Sequence, residues 1–122
     1  MIQYPERRDE LIYYLKALAD KQYVIDVWVN HNFPPGIYDC FDYAVHFFFD
    51  DTGLAENPKA TIGFILENDT EVEAIQLITK SIDNLLDDAG KNLPDEEYIN
   101  HSKWGNIIEA STNALKVFIG TT

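Results

Sequence analysis

The strongest constraint in this sequence is an apolar stripe that recurs at helical spacing between residues 72 and 89. Positions three and four residues apart lie on one face of an α-helix, so the stripe predicts an amphipathic helix. It consists of Val72, Ile75, Ile78, Ile82, Leu85, Leu86 and Ala89. Thr70 and Glu73 have capping-box spacing, and Gly90 is a typical stop. The chain therefore contains a long helix that needs an apolar partner.

Four further segments carry helical signals. Pro5 begins a predicted helix over residues 5–19, and Asp39 is the predicted N-cap of an aromatic helix to about residue 49. Residues 94–97 have the acids of a first helical turn, and residues 103–119 have a second long apolar stripe.

Two segments remain ambiguous at this level. Residues 23–29 fit either a strand or a short helix, and helix is preferred because no clear strand exists elsewhere to pair with it. Residues 61–66 fit a short strand or a buried helical turn. The predicted fold is mostly α: a compact single-domain bundle of about five to six helices over residues 1–122. One short pair of strands remains compatible with it.

The acidic residues are concentrated in two segments. The chain has 21 Asp and Glu against 9 Lys and Arg, a formal net charge of -12. Residues 39–73 contain nine acids and one base, and residues 83–97 contain six acids and one base. A polyanionic surface repels nucleic acid and anionic membranes and attracts basic proteins. The pattern predicts a basic protein partner, with solubility alone as the alternative explanation of the charge.

The expected location is the cytoplasm. The first eight residues lack the apolar core of a secretory signal, and no apolar run is long enough to span a bilayer. The single cysteine, Cys40, allows no intramolecular disulfide and fits a reducing compartment, where we expect it to be an inert residue. Trp28 and Trp104 are predicted core residues.

No convincing catalytic set is present, and we expect no enzyme activity and no cofactor. Asp42, His46 and Asp50, spaced by four on one helix face, are the best candidates for a divalent-metal site in a hydrolase. His31 and His101 are the remaining candidate ligands. The favoured interpretation is an ion-paired stripe in which carboxylates raise the pKa of His46. Residues 51–53 match the Asp-Thr-Gly loop of aspartic proteases, but that fold is almost all β.

One block of the sequence resembles a known group of proteins. It comprises Trp28-Val29, Phe33-Pro34, Tyr38-Asp39, Phe41-Asp42, residues 45–52, Leu54-Ala55, Pro58 and Ile62-Gly63. The block resembles a family of small, acidic, single-domain bacterial proteins, and the architecture is similar to that of cytosolic immunity proteins of contact-dependent growth-inhibition systems. The resemblance implies an antidote to a toxin domain and transfers no site residue.

Together these observations predict a cytosolic immunity protein that neutralises a basic toxin domain, with a nuclease as the expected toxin because its cleft must hold phosphates. The alternatives are the metal-dependent hydrolase and a regulatory subunit with a non-toxin partner. The first-choice contact residues are Asp39, Asp42, Asp50, Asp51 and Glu56. The second-choice contact residues are Asp87, Asp88, Asp95, Glu96 and Glu97.

Overall fold

Six α-helices account for most of the described chain. The computed structural model describes residues 2–36 and 38–120. The helices are α1 (Pro5–Ala19), α2 (Lys21–Val24), α3 (Phe41–His46), α4 (Asp69–Ala89), α5 (Asp95–Ile99) and α6 (Trp104–Ile119). Two π-helical segments, Ile25–Val29 and Phe47–Asp51, extend α2 and α3, and a 3₁₀ helix spans Pro58–Thr61. No strand occurs within the described ranges, so the predicted mostly α fold is confirmed.

The bundle is organised around α6, which packs against both α1 and α4. Each of the three helices contributes a buried apolar stripe, so their inner faces form one continuous core. Fully buried members of that core include Leu11, Leu15, Ile75, Ile78, Ile82 and Ile107. Although α4 has 21 residues, its outer face is polar, and no helix in the described ranges is long and apolar enough to cross a membrane.

The short helices add an aromatic layer to this core. Phe41 of α3 packs against Trp28 at 6.4 Å between ring centroids and against Trp104 at 5.2 Å. Both tryptophans are buried, which confirms the prediction that they are core residues. The aromatic contacts therefore attach α2 and α3 to the start of α6.

Residues 21–29 are helical throughout, as preferred. Asp20 accepts a hydrogen bond from the backbone N–H of Tyr23 at 3.1 Å and caps α2. Residues 61–66 form neither a strand nor a full helical turn. Thr61 is the last residue of the 3₁₀ helix, and turns follow it, with an isolated bridge between Ile62 and Leu66.

The predicted N-cap of α3 is wrong. The helix begins at Phe41, and Asp39 does not cap it. The backbone N–H of Phe41 instead donates to the carboxylate of Asp95 at 3.0 Å, 54 positions along the chain. A tertiary contact between α3 and the start of α5 thus supplies the acceptor that local sequence does not.

The capping box predicted for α4 is also displaced. Asn68, rather than Thr70, accepts the capping hydrogen bond, from the backbone N–H of Glu71 at 3.0 Å. The predicted stop is confirmed: α4 ends at Gly90, whose φ of 92° lies in the region that favours glycine.

A buried ion pair joins α1 to α4. The Arg8 guanidinium donates to both carboxylate oxygens of Glu71, at 2.8 and 2.7 Å, and to the Ile65 carbonyl oxygen at 2.9 Å. It also lies 4.9 Å from the centre of the Phe118 ring of α6. The Arg8 side chain therefore connects three helices and the segment that precedes α4.

Candidate functional site

The exposed face of α3 carries the acidic stripe, which consists of Asp42, His46 and Asp50. His46 Nε2 lies 3.4 Å from the Asp42 carboxylate, and His46 Nδ1 hydrogen-bonds to the Asp50 carboxylate. All three side chains are more than half exposed. The hydrogen bond that His46 donates to Asp50, followed by the charge of Asp42, raises the pKa of His46, which is the predicted direction.

This arrangement does not favour a metal site. The two carboxylates lie at different ring nitrogens of His46, which point in different directions, so the three groups cannot converge on one ion. In residues 2–36 and 38–120, no group of three or more His, Cys, Asp or Glu side chains could hold a metal ion. The other candidate ligands are engaged elsewhere: His31 stacks on Phe33, and His101 pairs with Asp88 at 3.1 Å.

An aromatic row, consisting of the partly buried Phe33 and the exposed Tyr38 and Tyr43, ends beside the acidic stripe. The ring centroids of Phe33 and Tyr38 are 4.9 Å apart, and those of Tyr38 and Tyr43 are 5.5 Å apart. Tyr38 is 57% exposed and Tyr43 is 49% exposed. Tyr43 lies three residues before His46 on α3, and residues three apart are neighbours on a helix surface, so the row adjoins the stripe.

The aromatic row was missed in the sequence because Tyr43 belongs to an apolar run over residues 43–49 that only His46 interrupts, and this run suggested a wider buried face. The adjacent loop at residues 33–36 could have indicated the exposed rings. Its two prolines and one glycine disfavour a helix there, so no helix from this segment would cover them. Ile37, within the same loop region, lies outside the described residues.

Asp39 is not a surface contact, which corrects the first-choice set. Only 4% of it is exposed. Its carboxylate accepts hydrogen bonds from the Tyr13 hydroxyl at 2.6 Å, the Trp28 indole N–H at 3.1 Å and the Tyr14 hydroxyl at 3.4 Å. The Cys40 backbone N–H donates to it as well, at 2.9 Å. Asp39 is therefore a structural acceptor that ties α1 and the π-helical segment after α2 to the start of α3.

The buried carboxylate also affects the groups around it. Burial, followed by the hydrogen bond to Asp39, raises the pKa of Tyr13, so its hydroxyl remains a donor at neutral pH. Burial also raises the pKa of the half-buried Cys40 thiol. A raised thiol pKa means little thiolate, which agrees with the expectation of an inert cysteine.

Asp51 and Glu56 lie at a surface groove between the N-terminal segment and the turn that follows the π-helical end of α3. Its larger part has a volume of about 350 Å³ and is lined by Tyr4, Glu56 and Phe64 among others. An adjoining part of about 200 Å³ includes Asp51 and shares Tyr4 with the first. Tyr4 and Phe64 were not predicted as site residues.

The second-choice residues do not form one surface. Asp95 is half-buried and caps α3; burial raises its pKa, and the charge of Asp42 adds to that shift. Asp88 contacts His101 Nε2 at 3.1 Å and forms an ion pair with Lys103 at 3.8 Å. The side chains of Asp87, Glu96 and Glu97 are exposed. Asp95 therefore belongs with the α3 region, and Asp88 is already neutralised.

The comparisons with known proteins yield one match. A family model described as a domain of unknown function (DUF7945) matches residues 2–121. No curated protein and no solved structure matches the chain.

Proposed function

The chain belongs to the DUF7945 family, and we propose that it is an immunity protein that binds and neutralises a basic toxin domain. The binding surface in this proposal is the acidic stripe together with the aromatic row. One observation carries it: two exposed tyrosines adjoin two exposed carboxylates and the histidine between them, on and next to a single short helix.

Physical chemistry favours binding at such a surface. Interface hot spots are rich in tyrosine, because its ring offers a large contact area and its hydroxyl offers a hydrogen bond. Tyr38 and Tyr43 contact each other through their rings, so less side-chain freedom is lost when a partner covers them. The tyrosines would provide the anchors, and the carboxylates would provide the surrounding charge.

The charge distribution supports a basic partner. Asp42 and Asp50 are exposed and add to a net charge of -12, so the surface attracts cations over distances near the Debye length. Steering of this kind can bring association rates to about 10⁸ M⁻¹s⁻¹ at low salt. A nuclease toxin fits this chemistry because its cleft must be basic to hold phosphates.

The choice of a toxin over another basic partner rests on the similarity of architecture to contact-dependent growth-inhibition immunity proteins that is proposed from the sequence. A regulatory subunit with a non-toxin partner would use the same surface, and the identity of the captured protein distinguishes the two. The hydrolase hypothesis gains no support from the geometry of the acidic stripe.

The test measures binding of the product of the adjacent upstream gene by surface plasmon resonance at low and high salt. The variant Asp42→Asn/Asp50→Asn is compared with Glu96→Gln/Glu97→Gln, which removes the same number of charges at exposed positions elsewhere. We expect the first variant to associate at least about tenfold more slowly at low salt and the second to resemble the wild type.

The anchor is tested separately with Tyr43→Ala, which should raise the dissociation rate by about 30-fold, equivalent to about 2 kcal/mol. Inhibition of the partner's nuclease activity should follow the same order of variants. Absence of binding at both salt concentrations, or equal binding by both charge variants, would contradict the proposal.

A further inference from the structure

The groove beside Tyr4 and Phe64 has an aromatic floor that is exposed and rigidly held. The two rings are stacked, with centroids 5.7 Å apart and planes inclined by 28°. Tyr4 is 47% exposed and Phe64 is 39% exposed. Two adjoining large aromatic side chains at a groove are unlike the singly scattered apolar residues of an ordinary surface.

Backbone hydrogen bonds hold the two segments that carry these rings next to each other. The Tyr4 N–H donates to the Phe64 carbonyl oxygen at 2.9 Å, and the Gln3 N–H donates to the Gly63 carbonyl oxygen at 3.0 Å. Gly63 has a φ of 91°, which a side-chain-bearing residue rarely adopts, so the turn that presents Phe64 depends on glycine. The floor is therefore formed before any ligand arrives.

The part of the groove lining that contains Thr52 and Glu56 is attached to the π-helical segment Phe47–Asp51. The Thr52 hydroxyl donates to the Phe47 carbonyl oxygen at 2.7 Å, and the Ala55 N–H donates to the Phe48 carbonyl oxygen at 2.9 Å. These bonds anchor the turn that carries Glu56 to the end of the helix.

The charged side chains at the groove are mainly acidic, and the acids are not paired with a described base. Glu6, Asp51 and Glu56 line its two parts, and none of them forms a salt bridge with a described residue. Among the described residues, Arg7 is the one cation that lines the groove, and it pairs with Glu10 at 3.3 Å. A ligand that complements this groove carries positive charge and a flat surface that can stack on aromatic rings.

We infer that the groove binds an arginine side chain from a basic segment of the partner protein. The planar guanidinium stacks on aromatic faces and donates a fixed pair of hydrogen bonds to a carboxylate, whereas a lysine ammonium has neither a planar face nor two parallel donors. The larger part of the groove, about 350 Å³, has the size of a small-ligand site. The identity of the partner rests on the proposed function, but the chemistry of the groove does not.

The test titrates the full chain with the peptide acetyl-Gly-Arg-Gly-amide and follows backbone amide resonances by NMR at low salt. We expect saturable shifts at Gly53 and Phe64. The peptide with citrulline in place of arginine, which keeps the shape and removes the charge, should bind at least about tenfold more weakly, and the lysine peptide should also bind more weakly.

Glu56→Gln and Phe64→Ala should each weaken binding of the arginine peptide by about tenfold, and Asp87→Asn, an exposed acid elsewhere, should leave it unchanged. Glu56 is exposed, so its variant remains informative if Phe64→Ala fails to fold. Equal binding of the citrulline peptide, shifts that survive Glu56→Gln, or no saturable shift would overturn the inference.

The outcomes separate this inference from the proposed function. If the partner binds the chain but is indifferent to Glu56→Gln and the peptide does not bind, the groove inference is wrong and the proposed function stands. If the peptide binds as expected and no basic partner is found, the groove is supported and the immunity proposal fails.

Discussion

Removal of the Arg8 guanidinium is expected to lower the free energy of unfolding by about 3–5 kcal/mol, because it leaves a buried charge without its partner. The Glu71 side chain is only 4% exposed. Without Arg8 its carboxylate would keep one described hydrogen-bond partner, the backbone N–H of Glu67 at 2.8 Å, and no positive charge to balance it. The Ile65 carbonyl oxygen would lose its guanidinium donor as well.

The preferred variant is Arg8→Met, which keeps an apolar chain against Phe118 and so removes little packing. Unfolding in urea is followed by fluorescence, since Trp28 and Trp104 are buried and report on loss of the core. With a denaturant slope of about 2 kcal/mol/M, the loss corresponds to a midpoint about 1.5–2.5 M lower. A domain with a total stability of about 5–15 kcal/mol would be severely weakened.

The double variant Arg8→Met/Glu71→Met is the control that isolates the unpaired charge. Replacing both members of a buried ion pair often changes the free energy of unfolding little. The double variant should therefore lose less than about 2 kcal/mol of that free energy and be more stable than Arg8→Met alone. A loss below about 1 kcal/mol in Arg8→Met, or a double variant no more stable than the single one, would refute the reasoning.

Three further outcomes are expected. Asp39→Asn should lower the free energy of unfolding, measured in urea, by about 2–4 kcal/mol, because the new side-chain NH₂ group would face the hydroxyl and indole donors that now bind the carboxylate. A loss of less than about 1 kcal/mol would contradict this. NMR titration should give His46 a pKa above its ordinary value, lowered more by Asp50→Asn than by Asp42→Asn, since the hydrogen bond to Asp50 is the larger cause. The stabilisation from His46 should be complete below the unfolded-state pKa and disappear as pH rises through the raised folded-state pKa; a pKa at or below the ordinary value would refute it. Asp95→Ala should cost about 1 kcal/mol in thermal or urea unfolding by removing the cap of α3, and an unchanged stability would show that the cap is dispensable.

The long helices could be predicted because their signals are local. The predicted segment 5–19 coincides with Pro5–Ala19, and the stripes predicted for α4 and α6 supply most of their buried residues. Apolar periodicity depends only on residues in neighbouring turns of one helix, so the helix can be predicted without knowing which helix packs against it. Gly90 stops α4 for the same local reason.

The candidate site could be predicted only in part. The acidic stripe was recognisable because its members are spaced by four on one helix. The burial of Asp39 was not, since its donors Tyr13 and Trp28 are 26 and 11 positions away. The available signal was indirect: buried tyrosine and tryptophan side chains need acceptors for their polar tips.

The sequence by itself therefore determined where the long helices lie, which face of each is buried, and that the chain is strongly acidic. Only the tertiary structure decided which acids remain on that surface. In the folded chain Asp39 is buried in the core, and Asp95 caps the distant helix α3. Tyr4 stacks on Phe64, which lies 60 positions later in the sequence. Helical periodicity arises from contacts within a few residues, whereas burial and groove formation depend on which distant segments pack together.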